Sequence, residues 1–260
     1  MINLDFNIEN YKNKNPFPYA YIDNFLNTDF ALKLQQEILN IPSDLWDRYQ
    51  NPFEEKFTLR NKYNFPKLLQ ELFMFLESDL FVKKISVITG FNLELDPNRN
   101  FWGVHKYISG DKLDIHVDAG LHPLTKQKKQ VTLGIYLSHN WLESYKCNLE
   151  IWKGDNSALK NPKLDVKIDE IAPIFNRMIL FTCNDYSWHG NPERAVCPSN
   201  SQRIFITISY LSNNLDDLNK RVKALFIDRP NDPIDEEKNK LRILRADPIK
   251  FKEIYNTSKN

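Results

Sequence analysis

The sequence is short of cysteine and glycine, shows no excess of either charge, and contains no long apolar run. Its three cysteines, Cys147, Cys183 and Cys197, are odd in number and form no CxxC pair. A disulfide framework and a thiolate zinc site are therefore not indicated, and any metal must be held by nitrogen and oxygen. Seven glycines in 260 residues fall below the usual ~7%, and neither GxGxxG nor GxxxxGK[ST] occurs, which argues against phosphate-cradling nucleotide-binding folds. With 35 basic and 34 acidic residues the formal charge is +1, too little for the strong positive field of a general nucleic-acid binder, although a local basic patch stays open. No stretch of about 18 apolar residues is present, and the opening Met1-Ile2-Asn3-Leu4-Asp5 is polar where a secretory leader is basic and then apolar. The expectation is a soluble, cytoplasmic protein without a membrane or nucleic-acid partner.

What is present fits one compact domain: 42% hydrophobic and 27% charged residues are enough for a large core. Residues 1–100 read as a helical support region. Asn27, Thr28 and Asp29 are cap-type residues ahead of an amphipathic helix reaching Ile41, and a second helical region spans Pro66 to Thr89 and stops at Gly90. From residue 101 to 211 the pattern changes to short alternating runs: Phe101–Tyr107, Leu113–Val117, Val131–Leu137, Asn148–Trp152, Asp165–Ile168, Met178–Cys183 and Arg203–Tyr210. Many strands without long helices between them imply an antiparallel sandwich or barrel, mainly β with the helices on one side. Residues 212–260 form a charged extension, broken at Arg229-Pro230-Asn231-Asp232-Pro233, with helices expected at Ile234–Arg245 and Pro248–Tyr255.

One short motif carries chemistry. In His116-Val117-Asp118 the outer two side chains share a strand face, so an imidazole and a carboxylate converge. Alone this is also the pattern of a hydrogen-bonded pair. His189, past the run Arg177–Cys183, adds a second imidazole, and two imidazoles with one carboxylate form the facial triad suited to non-haem Fe(II). Arg203 opens an otherwise apolar strand. It is either a strand-edge surface residue or a buried cation that needs an anion, and a guanidinium grips a carboxylate with two parallel hydrogen bonds. Beside the triad, the carboxylate-anchor reading is preferred. Of the other histidines, His122 and His139 lie in polar turns and are expected at the surface, with His122 close enough to the motif to touch a substrate.

Taken together these motifs resemble the Fe(II)- and 2-oxoglutarate-dependent oxygenases, in particular the prolyl 4-hydroxylase-like branch. The resemblance runs through Tyr107-Ile-Ser-Gly110-Asp-Lys-Leu113-Asp-Ile-His116-Val-Asp118, Val131–Ser138, Asn176-Arg177-Met-Ile-Leu-Phe181, His189-Gly190 and Arg203, with the entry Pro16-Phe17-Pro18-Tyr19 and Ile22-Asp23-Asn24-Phe25-Leu26 ahead of it. It implies a double-stranded β-helix, the jelly roll shared with cupins. It implies Fe(2+), 2-oxoglutarate and O2, and admits ascorbate. His116, Asp118 and His189 match the iron ligands, and Arg203 the basic residue that pairs with the distal carboxylate of 2-oxoglutarate; these four form the catalytic set. Tyr107 and Thr132 match further cosubstrate contacts, while His105, Tyr136 and Trp152 are candidates for the substrate pocket, each weighed against a plain core role.

The chain departs from the pattern in three places. Cys147-Asn148 replaces a common Gly-Gly, Phe205 stands where relatives place a small hydroxyl residue, and Ser209 lacks the second arginine of AlkB-type demethylases. The expected reaction is hydroxylation of an unactivated C–H bond in a small molecule or an amino-acid or prolyl residue, with release of succinate and CO2. Two alternatives remain: a cupin-like metal enzyme that does not use 2-oxoglutarate, and a jelly-roll binding module. The oligomeric state is left open.

Overall fold

The first helix begins where its cap residue places it. The Asn27 side chain accepts from the Phe30 amide, and α1 (Thr28–Leu39) buries Ala31, Leu34 and Ile38. The region expected as one helix over 66–89 is two in this computed structural model, which describes residues 6–155, 162–213, 223–247 and 249–250: α2 (Lys67–Leu76) and α3 (Asp79–Thr89). Ser78 makes the break. Its hydroxyl donates to the Phe75 carbonyl and accepts from the Phe81 amide, closing one helix and capping the next. The apolar residues cover more than one stripe because they belong to two helices. A fourth helix, α4 (Glu236–Ala246), is capped by Asp235, while most of the helix expected at 248–255 lies outside the described residues.

Among the described residues, twelve strands curl into one antiparallel sheet. In chain order they are β1 (Tyr19–Ile22), β2 (Asp47–Asn51), β3 (Glu54–Leu59), β4 (Gly103–Tyr107), β5 (Lys112–Val117), β6 (Lys128–Tyr136), β7 (Leu149–Gly154), β8 (Leu164–Ile171), β9 (Met178–Thr182), β10 (Trp188–Asn191), β11 (Arg203–Ser212) and β12 (Leu225–Phe226). The spatial order is β1-β9-β6-β11-β4-β3-β5-β10-β7-β8, with β2 added to β3 and β12 to β5. This is the double-stranded β-helix that the resemblance implies, with strand β3 bridging its two sheets. The N-terminal third is thus more than a helical support. It supplies β1 at one edge and the β2–β3 hairpin, whose short polar strands carry too few β-branched residues to stand out in sequence.

Strand alternation divides the interior. One face of β6, β9 and β11, through Leu133, Ile135, Leu180, Ile204, Ile206 and Ile208, packs with the buried faces of α1, α2 and α3. The opposite face closes on the second sheet, where Tyr136, Ile179 and Phe181 meet Leu149 and Ile151. The N-terminal entry is latched to this frame: Arg177 donates to both carboxylate oxygens of Asp23 at 2.6 and 2.9 Å, and Asn176 exchanges side-chain hydrogen bonds with the Leu26 backbone. Two segments of the sequence resemblance, 22–26 and 176–181, are therefore one contact in space.

Gly190 sets how closely β10 lies on β5. A Cβ at this position would meet the Asp114 carbonyl oxygen at 2.6 Å and the Leu113 carbonyl oxygen at 2.9 Å, both main-chain atoms that cannot move aside alone. Gly190→Ala is therefore expected to cost roughly 1–3 kcal/mol in urea unfolding. It should also weaken divalent-metal binding, because the same strand pair carries His189 and His116.

Candidate metal centre

His116 is the penultimate residue of β5, Asp118 lies just beyond the strand, and His189 lies directly across from His116 in the β5–β10 ladder. The imidazole rings are 4.5 Å apart, and one ligand atom from each of the three residues lies within 4.8 Å of the others. Both rings are oriented from behind. His116 Nδ1 donates to the Asp114 carbonyl at 2.9 Å and His189 Nδ1 to the Ser187 carbonyl at 2.7 Å, since a carbonyl can only accept. This fixes the tautomer with the Nε2 lone pairs turned to the common centre, the arrangement a metal-binding histidine requires.

Asp118 is shared among several partners. Its Oδ1 is 3.5 Å from His116 Nε2, while Oδ2 takes the Lys129 ammonium at 2.7 Å. Burial pushes the Asp118 carboxyl up, but Lys129 and the two imidazoles outweigh it and hold the group well below the usual carboxylate range. His189 is held down to about 4, first by burial and then by neighbouring His116. At neutral pH His189 is therefore a neutral imidazole and Asp118 a carboxylate, the forms in which each can hold a divalent cation. Lys129 was not anticipated from the sequence; the signal available was a lysine in a strand whose every residue is buried.

The second half of the site is Arg203, across from Tyr107 in the β4–β11 ladder and 1% exposed. Its guanidinium lies over the rings of Tyr107 (4.7 Å), Tyr136 (5.0 Å) and Phe205 (5.5 Å). Its Nε and Nη1 have no hydrogen-bond partner, and neither has the Tyr136 hydroxyl. Gly134 makes the room: a Cβ there would fall 2.1 Å from the Phe205 ring, which instead stacks on Tyr136 at 4.5 Å. The aromatic floor of Tyr136, Phe181 and Phe205 continues to the metal centre, where Phe181 is 4.5 Å from the His189 ring. A buried cation and a three-residue metal centre thus share one interior.

The remaining candidates separate. His105 faces the interior across from Phe205, with Nε2 3.2 Å from the Thr207 hydroxyl and Nδ1 unpartnered. Thr132 also faces inward, but its hydroxyl is engaged by Ser209 at 3.0 Å and the Cys183 thiol at 3.3 Å; burial holds that thiol up at about 11, so it stays protonated. Trp152 does not line the pocket. It pairs with Trp188, one residue out of step with His189, so alternation turns it to the opposite face among Ile115, Val117 and Leu164. His122 is also not a surface residue. It is fully buried, donates from Nε2 to Asp96 at 3.0 Å, and accepts the Thr125 amide at Nδ1, so its polar surroundings are its partners rather than solvent. His139 is exposed as expected.

Residues 102–211 match the sequence model of the 2OG-Fe(II) oxygenase superfamily, a segment that contains the three metal-site residues and Arg203. A solved prolyl-4-hydroxylase from Pseudomonas putida shares the fold with TM-score 0.55 at 14% identity, covering 76% of this chain and 95% of its own. A prolyl hydroxylase from Trichoplax adhaerens, solved with a hypoxia-inducible-factor peptide, superposes with TM-score 0.55 at 21% identity over 78% and 86% of the two chains. The α-ketoglutarate-dependent carbocyclase SnoK of nogalamycin biosynthesis gives 0.54 at 10% identity over 85% and 86%. No curated protein sequence matches the chain. Among the described residues no helix is long and apolar enough to cross a membrane.

Two outcomes follow from the electrostatics. Lys129→Met leaves the second oxygen of Asp118 without its ammonium, and Mn(II) affinity read by electron paramagnetic resonance should fall about tenfold or more, with Lys129→Arg retaining most of it. Unfolded, His189 takes up a proton near 6.5; folded, it does so only near 4. Between these values the unfolded chain holds more protons, so the metal-free protein loses stability as pH falls from about 6.5 towards about 4. Urea midpoints across this range should drop, and His189→Gln should remove part of the slope.

Proposed function

We propose that this chain is an Fe(II)- and 2-oxoglutarate-dependent dioxygenase that hydroxylates an unactivated C–H bond of a small molecule or of an amino-acid or prolyl residue. The observation that carries the reading is Arg203: a buried guanidinium with two unpartnered donor atoms, beside an unpartnered tyrosine hydroxyl, in the interior that also holds His116, Asp118 and His189. A buried cation left this way is costly unless an anion completes it. The distal carboxylate of a dicarboxylic 2-oxoacid supplies that anion, and it accepts from Arg203 and from the Tyr136 hydroxyl. Tyr107 packs its ring on the guanidinium and holds its plane. The donor set of two imidazoles and one carboxylate would suit Fe(II) and would leave coordination sites for further ligands.

Bound in this interior, Fe(II) with 2-oxoglutarate supplies the activation of O2 that places oxygen on carbon and yields succinate and CO2. The protein's own residues position and exclude. The carbonyls of Asp114 and Ser187 aim the imidazoles, Lys129 fixes the Asp118 carboxylate, and Phe181, Phe205 and Tyr136 keep water from the floor of the pocket. Phe205 narrows the recess around Arg203, so the cosubstrate is held by fewer hydroxyls than in relatives with a small residue there. Thr132 enters as a contact only by exchanging its bonds to Ser209 and Cys183. A cupin-like enzyme that does without 2-oxoglutarate leaves the Arg203 donors unexplained, and a binding module leaves the histidine tautomers unexplained.

Succinate formed from 2-oxoglutarate under air is the test, first with the protein alone and then with a panel of amino acids, peptides and small metabolites. Fe(II)-dependent succinate is expected in the wild type, none in His189→Ala, and in Arg203→Ala a KM for 2-oxoglutarate raised about a hundredfold with metal binding retained. Succinate formation that survives unchanged in both variants contradicts the proposal.

A further inference from the structure

Lys129, which fixes the Asp118 carboxylate, has a support of its own. Its ammonium bonds Asp118 at 2.7 Å and also lies over the face of the Phe101 ring, 5.1 Å from the ring centre. Phe101 is in turn fixed at two points by one buried pair. Its amide donates to Asp96 Oδ2 at 3.0 Å, and its ring meets the His122 ring edge to face, with centres 5.7 Å apart. Asp96 and His122 are bonded to each other, Oδ1 to Nε2 at 3.0 Å, and neither side chain is exposed.

The hydrogen bonds around His122 leave it one pattern. Nδ1 accepts from the amides of Thr125 at 3.0 Å and Leu124 at 3.3 Å, so the ring proton sits on Nε2 and is directed at Asp96. The Asn100 side-chain amide lies 2.7 Å from the same nitrogen and meets that proton through its oxygen. The imidazole thus ties the β5–β6 connection to the segment 96–101. That connection leaves the metal centre at Asp118 and returns to it at Lys129, closed on itself by the His122 amide to the Gln127 carbonyl and the Lys129 amide to the Gly120 carbonyl, both at 2.8 Å. Asp96 takes three N–H donors, from His122 and from the Asn98 and Phe101 amides, none with a formal charge. A buried carboxylate held by neutral donors is a costly way to close a loop, since apolar packing would close it without desolvating a charge. What the pair adds is a fixed place for an aromatic ring beneath a lysine whose long stem would otherwise let the ammonium wander.

Resting on the reading of His116, Asp118 and His189 as a metal centre, we propose that Asp96 and His122 are positioning residues of that centre: they hold the Phe101 ring against the Lys129 ammonium, and through Lys129 they hold the Asp118 carboxylate in place. The path is Asp96 and His122 to Phe101, Phe101 to Lys129, and Lys129 to Asp118. His122 acts on the site from behind it, as a support and not as a contact for substrate.

The test is a double-mutant cycle on Mn(II) affinity, read by electron paramagnetic resonance on the full chain, with urea midpoints taken on the same proteins. Phe101→Leu removes the ring over which the ammonium lies and keeps the amide bond to Asp96. His122→Phe keeps a ring beside Phe101 and removes the bond to Asp96. Each is expected to weaken Mn(II) binding about three- to tenfold in the wild-type background, and to have no further effect in Lys129→Met, which has already lost the group they act through. A pair that serves stability alone lowers the urea midpoint in both backgrounds and leaves the Mn(II) affinity of the folded protein unchanged. Because Phe101 is only half-buried and its backbone bond survives, Phe101→Leu keeps the test open even if His122→Phe folds poorly. Mn(II) affinity unchanged in Phe101→Leu or in a folded His122→Phe, a loss that persists in full in Lys129→Met, or wild-type affinity in Lys129→Met itself overturns the positioning role and leaves the metal centre standing. Failure of the wild-type protein to bind Mn(II) overturns both.

Discussion

The site depends on one strand pairing. β5 and β10 run antiparallel with His116 opposite His189, and this register alone puts residues far apart in sequence within reach of one ion. A slip of one residue would turn either imidazole to the wrong face. The pairing is held close by Gly190 and flanked by β7 on one side and by β3 and β12 on the other. Asp118 completes the centre because it lies two residues after His116 and so shares its face, and Lys129 keeps its carboxylate turned and ionised.

The second constraint is a cation without a partner. Arg203 is buried among three aromatic rings with two donor atoms unsatisfied, which a fold selected for stability alone would avoid. The aromatic walls stabilise the charge through their π faces but cannot replace an anion. That the unsatisfied guanidinium and the metal ligands open on the same interior is what joins fold to chemistry. On the proposed reading, stability is given up locally so that a carboxylate can be bound.

Much of this was legible in the sequence where local pattern and spatial role coincide. His116 and Asp118 share a face by spacing, the alternating runs from 101 to 211 became strands at nearly the expected bounds, and Arg203 was conspicuous as a charge opening an apolar strand. What was hidden depends on partners far away in the chain. The break at Ser78 turns on one hydroxyl serving two helices, and His122 is buried only because Asp96 receives it. Trp152 was misplaced because its face is set by register with β10, which no spacing within β7 reveals. The β2–β3 hairpin, short and polar, reads as a loop until β4 and β5 give it partners.

The account stands on the metal centre and Arg203 holding the two ends of one cosubstrate, and this is tested most directly without turnover. Under anaerobic conditions, 2-oxoglutarate added to the Fe(II)-loaded protein should raise a weak visible charge-transfer band. In Arg203→Met the same band should appear at the same wavelength, but only at far higher 2-oxoglutarate concentration. No band in the wild type, or an identical concentration dependence in the two proteins, would contradict it.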